Sequence, residues 1–145
     1  MDNVSDRDVP KKKSHLQMIQ GVVNRLAHNS FLLKGWSVVL VSALFALAVK
    51  DVSSFFVLLA FFPALVFWFL DGYFLWQERM FRALYDHVRD MEEEDINFSM
   101  DVNEVEETRA VSYFSAVFSK TLIAFHGAVL GSILVVSIAM LAIGT

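Results

Sequence analysis

Three long apolar stretches make up about half of this 145-residue chain. They cover residues 31–49, 52–76 and 121–143. Each is close to the ~20 residues that an α-helix needs to cross the ~30 Å hydrocarbon core of a bilayer. Backbone amides in lipid must be hydrogen-bonded within their own segment, so such stretches insert as helices. The sequence therefore predicts an all-α membrane protein with three transmembrane helices, the first two forming a tight hairpin and the third a long helix.

The composition supports a membrane protein and argues against several other classes. Hydrophobic residues make up 56% of the chain, the mean hydropathy is +0.51 and only 19% of the residues are charged, whereas soluble domains are less apolar. The chain has no cysteine, which excludes disulfides and thiolate chemistry. Its net charge of −4 argues against a nucleic-acid partner. The metal-binding and phosphate-binding motifs of enzymes are absent, so we expect neither a cofactor nor enzyme activity.

The basic residues are distributed unevenly over the sequence. Eleven of the twelve Lys and Arg residues lie before the first stretch, at its edge, or between the second and the third, and only Lys50 lies in the first hairpin. Because Lys and Arg are retained on the cytoplasmic side, the N-terminus and segment 77–120 are predicted to be cytoplasmic and the C-terminus to face outward. Aromatic residues that favour the membrane interface lie near the same boundary: Trp36, Tyr73, Trp76 and Tyr113.

The apolar stretches divide the chain into four segments. Residues 1–30 are predicted to hold a cytoplasmic amphipathic helix, 31–76 the transmembrane hairpin, 77–120 a helical extension with an acidic linker, and 121–145 the third transmembrane helix. Pro63 lies inside the second stretch and predicts a kink, since proline removes one bond of the helix ladder. The kink is either a structural bend or a gating hinge.

Two segments on the predicted cytoplasmic side carry apolar stripes at helical spacing. One stripe consists of Leu16, Ile19, Val23 and Leu26, and the other of Phe81, Leu84, Tyr85 and Val88. The stripes are narrow and poor in flanking lysine, which does not favour binding along lipid headgroups. We therefore expect these two short amphipathic helices to pack on each other.

Two opposite charges, Lys34 and Asp71, fall at membrane depth. Ionisable groups there cost several kcal/mol and require a partner or a purpose. The first two helices are antiparallel, so both residues lie at a similar depth near the cytoplasmic face. The simplest interpretation is an ion pair, within one chain or between neighbouring chains. The alternative is a charged vestibule of an ion pathway.

The third stretch carries a histidine followed by a row of small residues. His126 precedes Gly127 and Gly131, and Ser132 belongs to a second small-residue row. Small residues four positions apart allow two helices to approach closely in lipid. This helix is therefore the best candidate for an oligomer seam or a pore lining. His126 is either a hydrogen-bonded packing residue or a proton relay or pore constriction.

An acidic segment precedes the third stretch. Residues 92–107 contain eight carboxylates and no basic residue. The segment is either a solvated linker or a docking strip for a basic surface of a soluble cytoplasmic partner. The residues that would form such a strip are Glu92, Glu93, Glu94 and Asp95.

Four blocks of the sequence carry a resemblance: NRLAHNSFLLKGW at 24–36, FWFLDGYFLWQER at 67–79, FRALYD at 81–86 and NFSMD at 97–101. In these blocks the chain resembles a widespread family of small bacterial inner-membrane proteins. The chain also resembles the small transmembrane effectors of bacterial anti-phage systems, such as the SLATT type. Three predicted spans rather than two are a departure from that class. The resemblance highlights five charged residues: Lys34, Asp71, Glu78, Arg79 and Arg82.

The resemblance implies a protein that assembles in the bacterial inner membrane and permeabilises it when a sensor partner signals. We therefore expect a homo-oligomer in contact with membrane lipid, with a cytoplasmic N-terminus and a periplasmic C-terminus, that acts as a pore-forming or membrane-perturbing effector in anti-phage defence. The alternative is a non-conducting membrane anchor or scaffold that recruits a soluble cytoplasmic partner.

Overall fold

Every regular element in the described part of the chain is helical, as the apolar stretches predict. The computed structural model describes residues 10–51, 54–103 and 112–143. The elements are α1 (Lys11–Asp51), α2 (Ser54–Leu59), α3 (Phe61–Asp90), a 3₁₀ turn (Glu93–Asp95), α4 (Tyr113–Val117) and α5 (Lys120–Ile143). Three helical units are long and apolar enough to cross a membrane: α1, the consecutive helices α2 and α3, and α5.

The N-terminal amphipathic segment and the first apolar stretch form one continuous helix. The sequence predicts a separate short helix within residues 1–30, whereas α1 runs without interruption for 41 residues. The junction, Ala27-His28-Asn29-Ser30, contains neither proline nor glycine, so no residue there ends the helix. As the sequence predicts, α3 also continues beyond the second apolar stretch, to Asp90. The first two long helices therefore extend well past their apolar parts.

The helix of the second apolar stretch has a local irregularity one turn before Pro63. Ala60 divides α2 from α3, but its backbone angles are helical, with φ −64° and ψ −23°. Its amide donates to the carbonyls of both Phe56 and Val57 at 3.2 Å, and its carbonyl accepts from the Ala64 amide at 3.2 Å. Pro63 has no amide hydrogen to donate to Leu59, and its ring crowds that carbonyl. The chain therefore stays helical through a site where proline predicts an irregularity.

The two amphipathic stripes pack on each other, as their narrow width predicts. Ile19 and Val23 of α1 are buried against Leu84 and Val88 of α3, and Ile96 from the following loop closes the cluster. Burying such side chains contributes about 1.5–3 kcal/mol each. This core holds together the ends of α1 and α3 that lie beyond the apolar stretches.

The segment after α3 folds back over the start of α1. Glu93 Oε1 accepts a hydrogen bond from the Lys12 backbone amide at 3.2 Å, and Lys12 Nζ donates to the Met91 carbonyl at 2.7 Å. A carboxylate at this position satisfies a free amide of the first helical turn and complements the helix dipole. His15 Nε2 also donates to the Ser99 carbonyl at 2.8 Å. These bonds fix the loop against the N-terminal end of α1.

A second core joins the apolar parts of all the long helices. It contains Val41 of α1, Val57 of α2, Ala64 of α3 and Ile133 of α5. Around it, large apolar side chains point away from the protein, and several are more than 60% exposed: Phe31, Phe55, Phe62, Val135 and Leu141. An exposed apolar surface of this kind is suited to contact with lipid.

The short helix α4 lies directly against α3 at Gly72. A Cβ atom built on Gly72 would lie 2.5 Å from Val117 Cγ2 and 3.1 Å from Val117 Cα. On either side, Trp68 Nε1 donates to the Val117 carbonyl at 3.0 Å and the Tyr113 hydroxyl donates to the Phe69 carbonyl at 3.1 Å. The absence of a side chain at residue 72 is what permits this approach.

Gly72→Ala is expected to destabilise the fold by about 1–3 kcal/mol, because the added methyl group overlaps Val117 and must displace α4. Thermal unfolding of the purified protein in detergent measures the effect. Gly35→Ala is the matched control, since a Cβ at residue 35 meets no atom within 4 Å and alanine favours a helix over glycine. Equal melting temperatures for the two variants would show that the approach of α4 to Gly72 does not contribute to stability.

Candidate functional site

Asp71 lies at the centre of a buried polar cluster that joins three helices. Its side chain is fully buried. Lys34 Nζ of α1 lies 2.6 Å from Asp71 Oδ2, and His126 Nε2 of α5 lies 2.9 Å from the same oxygen. The other carboxylate oxygen, Oδ1, accepts a hydrogen bond from Ser30 Oγ. The two charges that the sequence matched by depth are therefore in contact within one chain.

An ionised Asp71 selects the tautomer of a neutral His126 ring. An ionised carboxylate only accepts hydrogen bonds, so His126 donates through Nε2–H and its Nδ1 has no proton in the neutral ring. That Nδ1 atom is buried and has no hydrogen-bond partner among the described residues. With a neutral imidazole, the ammonium of Lys34 balances the carboxylate of Asp71. The cluster then has no net charge, which is the arrangement that a low-dielectric interior tolerates.

Helical spacing places the partners of Asp71. Ser30 and Lys34 are four residues apart on one face of α1, and Lys34 Nζ also donates to Ser30 Oγ at 2.8 Å. On α3, Trp68 lies one turn from Asp71 and stacks on the His126 ring, with centroids 5.9 Å apart and planes 6° apart. One turn of α3 therefore supplies both the negative charge of the cluster, on Asp71, and the indole of Trp68 that orients the imidazole.

The structure separates His126 from the small residues that follow it. His126 is 1% exposed and faces the interior, whereas Gly127, Gly131 and Ser132 are exposed. A Cβ at either glycine would meet no atom within 4 Å. One residue step turns a helix by about 100°, so adjacent positions face different surroundings. His126 is thus a hydrogen-bonded residue inside the chain, and the glycines form an open face of α5.

Two members of the cluster, Ser30 and Trp68, were not predicted from the sequence as site residues. Each nevertheless lies at helical spacing from a charged residue that was. Ser30 stands four residues before Lys34, and Trp68 stands three residues before Asp71, so each shares a helix face with one of the two paired charges. Neither spacing by itself indicates that His126, 55 residues further along, completes the cluster.

The acidic segment has a structural member and an exposed remainder. Glu93 is partly buried and accepts from the start of α1, as described above. Glu92, Glu94 and Asp95 are exposed. The remaining carboxylates of the segment at positions 104, 106 and 107 lie outside the described residues. Three carboxylates at the 3₁₀ turn are therefore open to a partner.

The chemistry available to the Asp71 cluster is charge and proton binding. It contains a carboxylate, an ammonium, a hydroxyl and an imidazole, all in mutual contact. Within the described ranges, no three His, Cys, Asp or Glu side chains are grouped as a metal site requires.

Comparison of the chain with known proteins found no matching family model, no matching curated protein and no matching solved structure.

Lys34→Ala is expected to cost about 3–5 kcal/mol, because it leaves the fully buried Asp71 carboxylate without its cation. Asp71→Ala should cost less, because the Lys34 side chain is 20% exposed and can turn its ammonium away from the cluster. The double variant should lose clearly less than the sum, since non-additivity is the sign of direct coupling. Thermal or denaturant unfolding in detergent provides the four values of the cycle.

The exposed pair Glu78–Arg82 is the control for that cycle. Arg82 Nη2 lies 2.8 Å from Glu78 Oε1, and the Arg82 side chain is 61% exposed. A coupling energy below about 1 kcal/mol is expected there. Equal coupling in the two cycles, or strictly additive effects of Lys34→Ala and Asp71→Ala, would contradict an energetically important Lys34–Asp71 pair.

Proposed function

We propose that this chain is a multi-pass protein of the bacterial inner membrane, with its N-terminus in the cytoplasm and its C-terminus in the periplasm. Three helical units of sufficient length and hydropathy support insertion, as do the exposed apolar side chains around the second core. The orientation rests on the eleven-to-one division of basic residues.

We further propose that copies of the chain assemble into homo-oligomers that permeabilise the membrane. The observation that carries this proposal is the open small-residue face of α5, formed by Gly127, Gly131 and Ser132. Such faces allow close contact between helices in lipid. Beside it, Ser42 and Ser132 are among the residues that line a cleft of about 270 Å³ between α1 and α5. A role as an effector in anti-phage defence follows from the resemblance of the sequence blocks.

The internal pairing of the charges favours conduction between copies rather than through one copy. Lys34, Asp71 and His126 are bonded to one another inside a single chain. Three helices also enclose no path for ions, whereas several copies packed side by side could. The proposed pathway is therefore lined by surfaces that are exposed in one chain, and the buried cluster serves to hold each copy together.

Induced expression of the wild-type chain is expected to depolarise cells, as followed by a membrane-potential dye. Gly127→Leu/Gly131→Leu should reduce the oligomeric fraction in detergent about tenfold, equivalent to about 1.4 kcal/mol of association, and should abolish depolarisation. Gly35→Leu is the control, because residue 35 lies on an exposed face of α1 outside the proposed seam.

Two results would count against the permeabilising oligomer. The first is a strictly monomeric protein in mild detergent. The second is an unchanged membrane potential in cells expressing the wild-type chain, both with and without neighbouring gene products and phage. Loss of depolarisation in Gly35→Leu as well would show that the effect is not specific to α5.

The exposed acidic turn favours a second candidate function, a non-conducting scaffold. Glu92, Glu94 and Asp95 are presented on a loop that is fixed to α1 by Glu93 and Met91. A rigid, exposed group of like charges fits a basic surface of a soluble cytoplasmic protein.

Glu92→Gln/Glu94→Gln/Asp95→Asn is expected to abolish recovery of such a partner in a detergent pull-down while leaving thermal stability unchanged. Glu93→Gln is the matched control, since it weakens the contact with α1 and should lower stability by about 1 kcal/mol without removing the exposed charges. Loss of the partner without any change in ion permeability would favour the scaffold. Retention of the partner by the triple variant would exclude this docking strip.

A further inference from the structure

Asp71 is in contact with two groups that can each neutralise it, although one carboxylate requires only one positive charge. Lys34 Nζ and His126 Nε2 approach the same oxygen, at 2.6 and 2.9 Å. The Lys34 ammonium supplies the charge while the imidazole is neutral. The histidine therefore occupies the position of a second counter-ion that is not in use.

The two candidate counter-ions differ in their access to solvent. The Lys34 side chain is 20% exposed, and a long lysine side chain can carry its ammonium to a nearby membrane surface. His126 is 1% exposed. Its Nε2 is bonded to Asp71, whereas its Nδ1 has no hydrogen-bond partner among the described residues. Lysine can thus leave the cluster, whereas histidine can change its charge only by binding a proton.

We propose that Asp71 alternates between these two counter-ions, and that protonation of His126 releases Lys34 from the cluster toward the cytoplasmic headgroups. One proton from water binds Nδ1, and the imidazolium then neutralises the carboxylate through Nε2–H. The cluster without Lys34 stays neutral, and the added charge appears at the membrane surface. The direction of release rests on the membrane placement proposed above.

The surroundings of His126 favour this exchange over a cluster with two cations. On α3, His126 contacts the Asp71 carboxylate and the Trp68 ring. On its own helix, the Phe125 ring centroid lies 5.0 Å from that of His126. From α1, Lys34 and Ser30 bind Asp71 rather than His126 itself. No other carboxylate among the described residues has an ion pair with His126 or Lys34. Two positive charges on one buried carboxylate leave a net charge of +1, which the interior disfavours. The indole face stabilises an imidazolium stacked on it.

Lys34→Ala separates the two counter-ions experimentally. In the folded variant, only a proton on His126 can balance the charge of Asp71. The folded chain then binds this proton at a higher pH than the unfolded chain does, so the free energy of unfolding must rise as the pH falls through that range. We expect its melting temperature in detergent to increase by about 5 °C or more between about pH 8.5 and about pH 5.5 relative to wild type. Lys34→Ala/Asp71→Asn should lose this increase, because the neutral amide removes the buried charge that a proton on His126 balances.

The emission of Trp68 distinguishes the two possible proton acceptors, because only a proton on His126 places a charge on the ring that stacks on the indole. If Trp36→Phe/Trp76→Phe/Lys34→Ala gains stability as the pH falls while the emission of Trp68 does not change, Asp71 takes the proton, and the proposal is overturned. A melting temperature of Lys34→Ala that does not depend on pH overturns it as well. Both measurements are made on detergent-solubilised protein and need no permeabilisation, so their failure is distinguishable from failure of the proposed pore.

Trp68 provides a second readout that does not require Lys34→Ala to fold. In Trp36→Phe/Trp76→Phe, Trp68 is the only tryptophan and lies parallel to the His126 ring. Protonation of a stacked imidazole is expected to decrease the indole emission as the pH falls, and adding His126→Gln should remove that decrease. Emission that does not change with pH, or that changes equally in the His126→Gln background, would overturn the proposal.

Discussion

The burial of a single carboxylate constrains the arrangement of the helices in this protein. Asp71 is fully enclosed among apolar helices, and a buried carboxylate without partners would cost several kcal/mol. Its partners come from residues 41 positions before it and 55 positions after it. Each bond requires that α1, α3 and α5 have one particular depth and one rotation. The polar cluster therefore sets the register that apolar packing alone leaves free.

Residues 68–72 of α3 contact three other helices: α1, α4 and α5. Asp71 joins α1 and α5, Gly72 admits α4, and Trp68 both stacks on His126 and donates to the Val117 carbonyl. These contacts depend on one another, since displacement of α4 from Gly72 would remove the hydrogen bond of the same indole that orients the imidazole. A change at one position of this turn is thus transmitted to two other helices.

Hydropathy and spacing predict the helices and the packing of the two stripes, because those features are local. The same reasoning matches Lys34 with Asp71, since antiparallel helices of known length fix relative depth. It leaves the rotation of α5 undetermined: that helix is apolar on all sides, so no stripe distinguishes its inner face. The side of α5 that faces inward is determined by His126 and its partner in α3. The continuity of α1 and the contact of Glu93 with Lys12 were missed for a related reason, because both depend on tertiary contacts rather than on a periodic pattern.

The distribution of polar groups links the fold to the proposed assembly. The charges predicted at membrane depth are satisfied within one chain, while the small residues of α5 remain uncovered. Among the described residues, the buried charge of Asp71 needs no neighbouring copy, so the proposed insertion of a single chain is self-sufficient. In the proposed oligomer, association is driven by packing of Gly127 and Gly131, which is weak per contact and sensitive to helix rotation. Since His126 precedes Gly127 on the same turn, any rearrangement at Asp71 that rotates α5 also redirects the surface through which copies would meet.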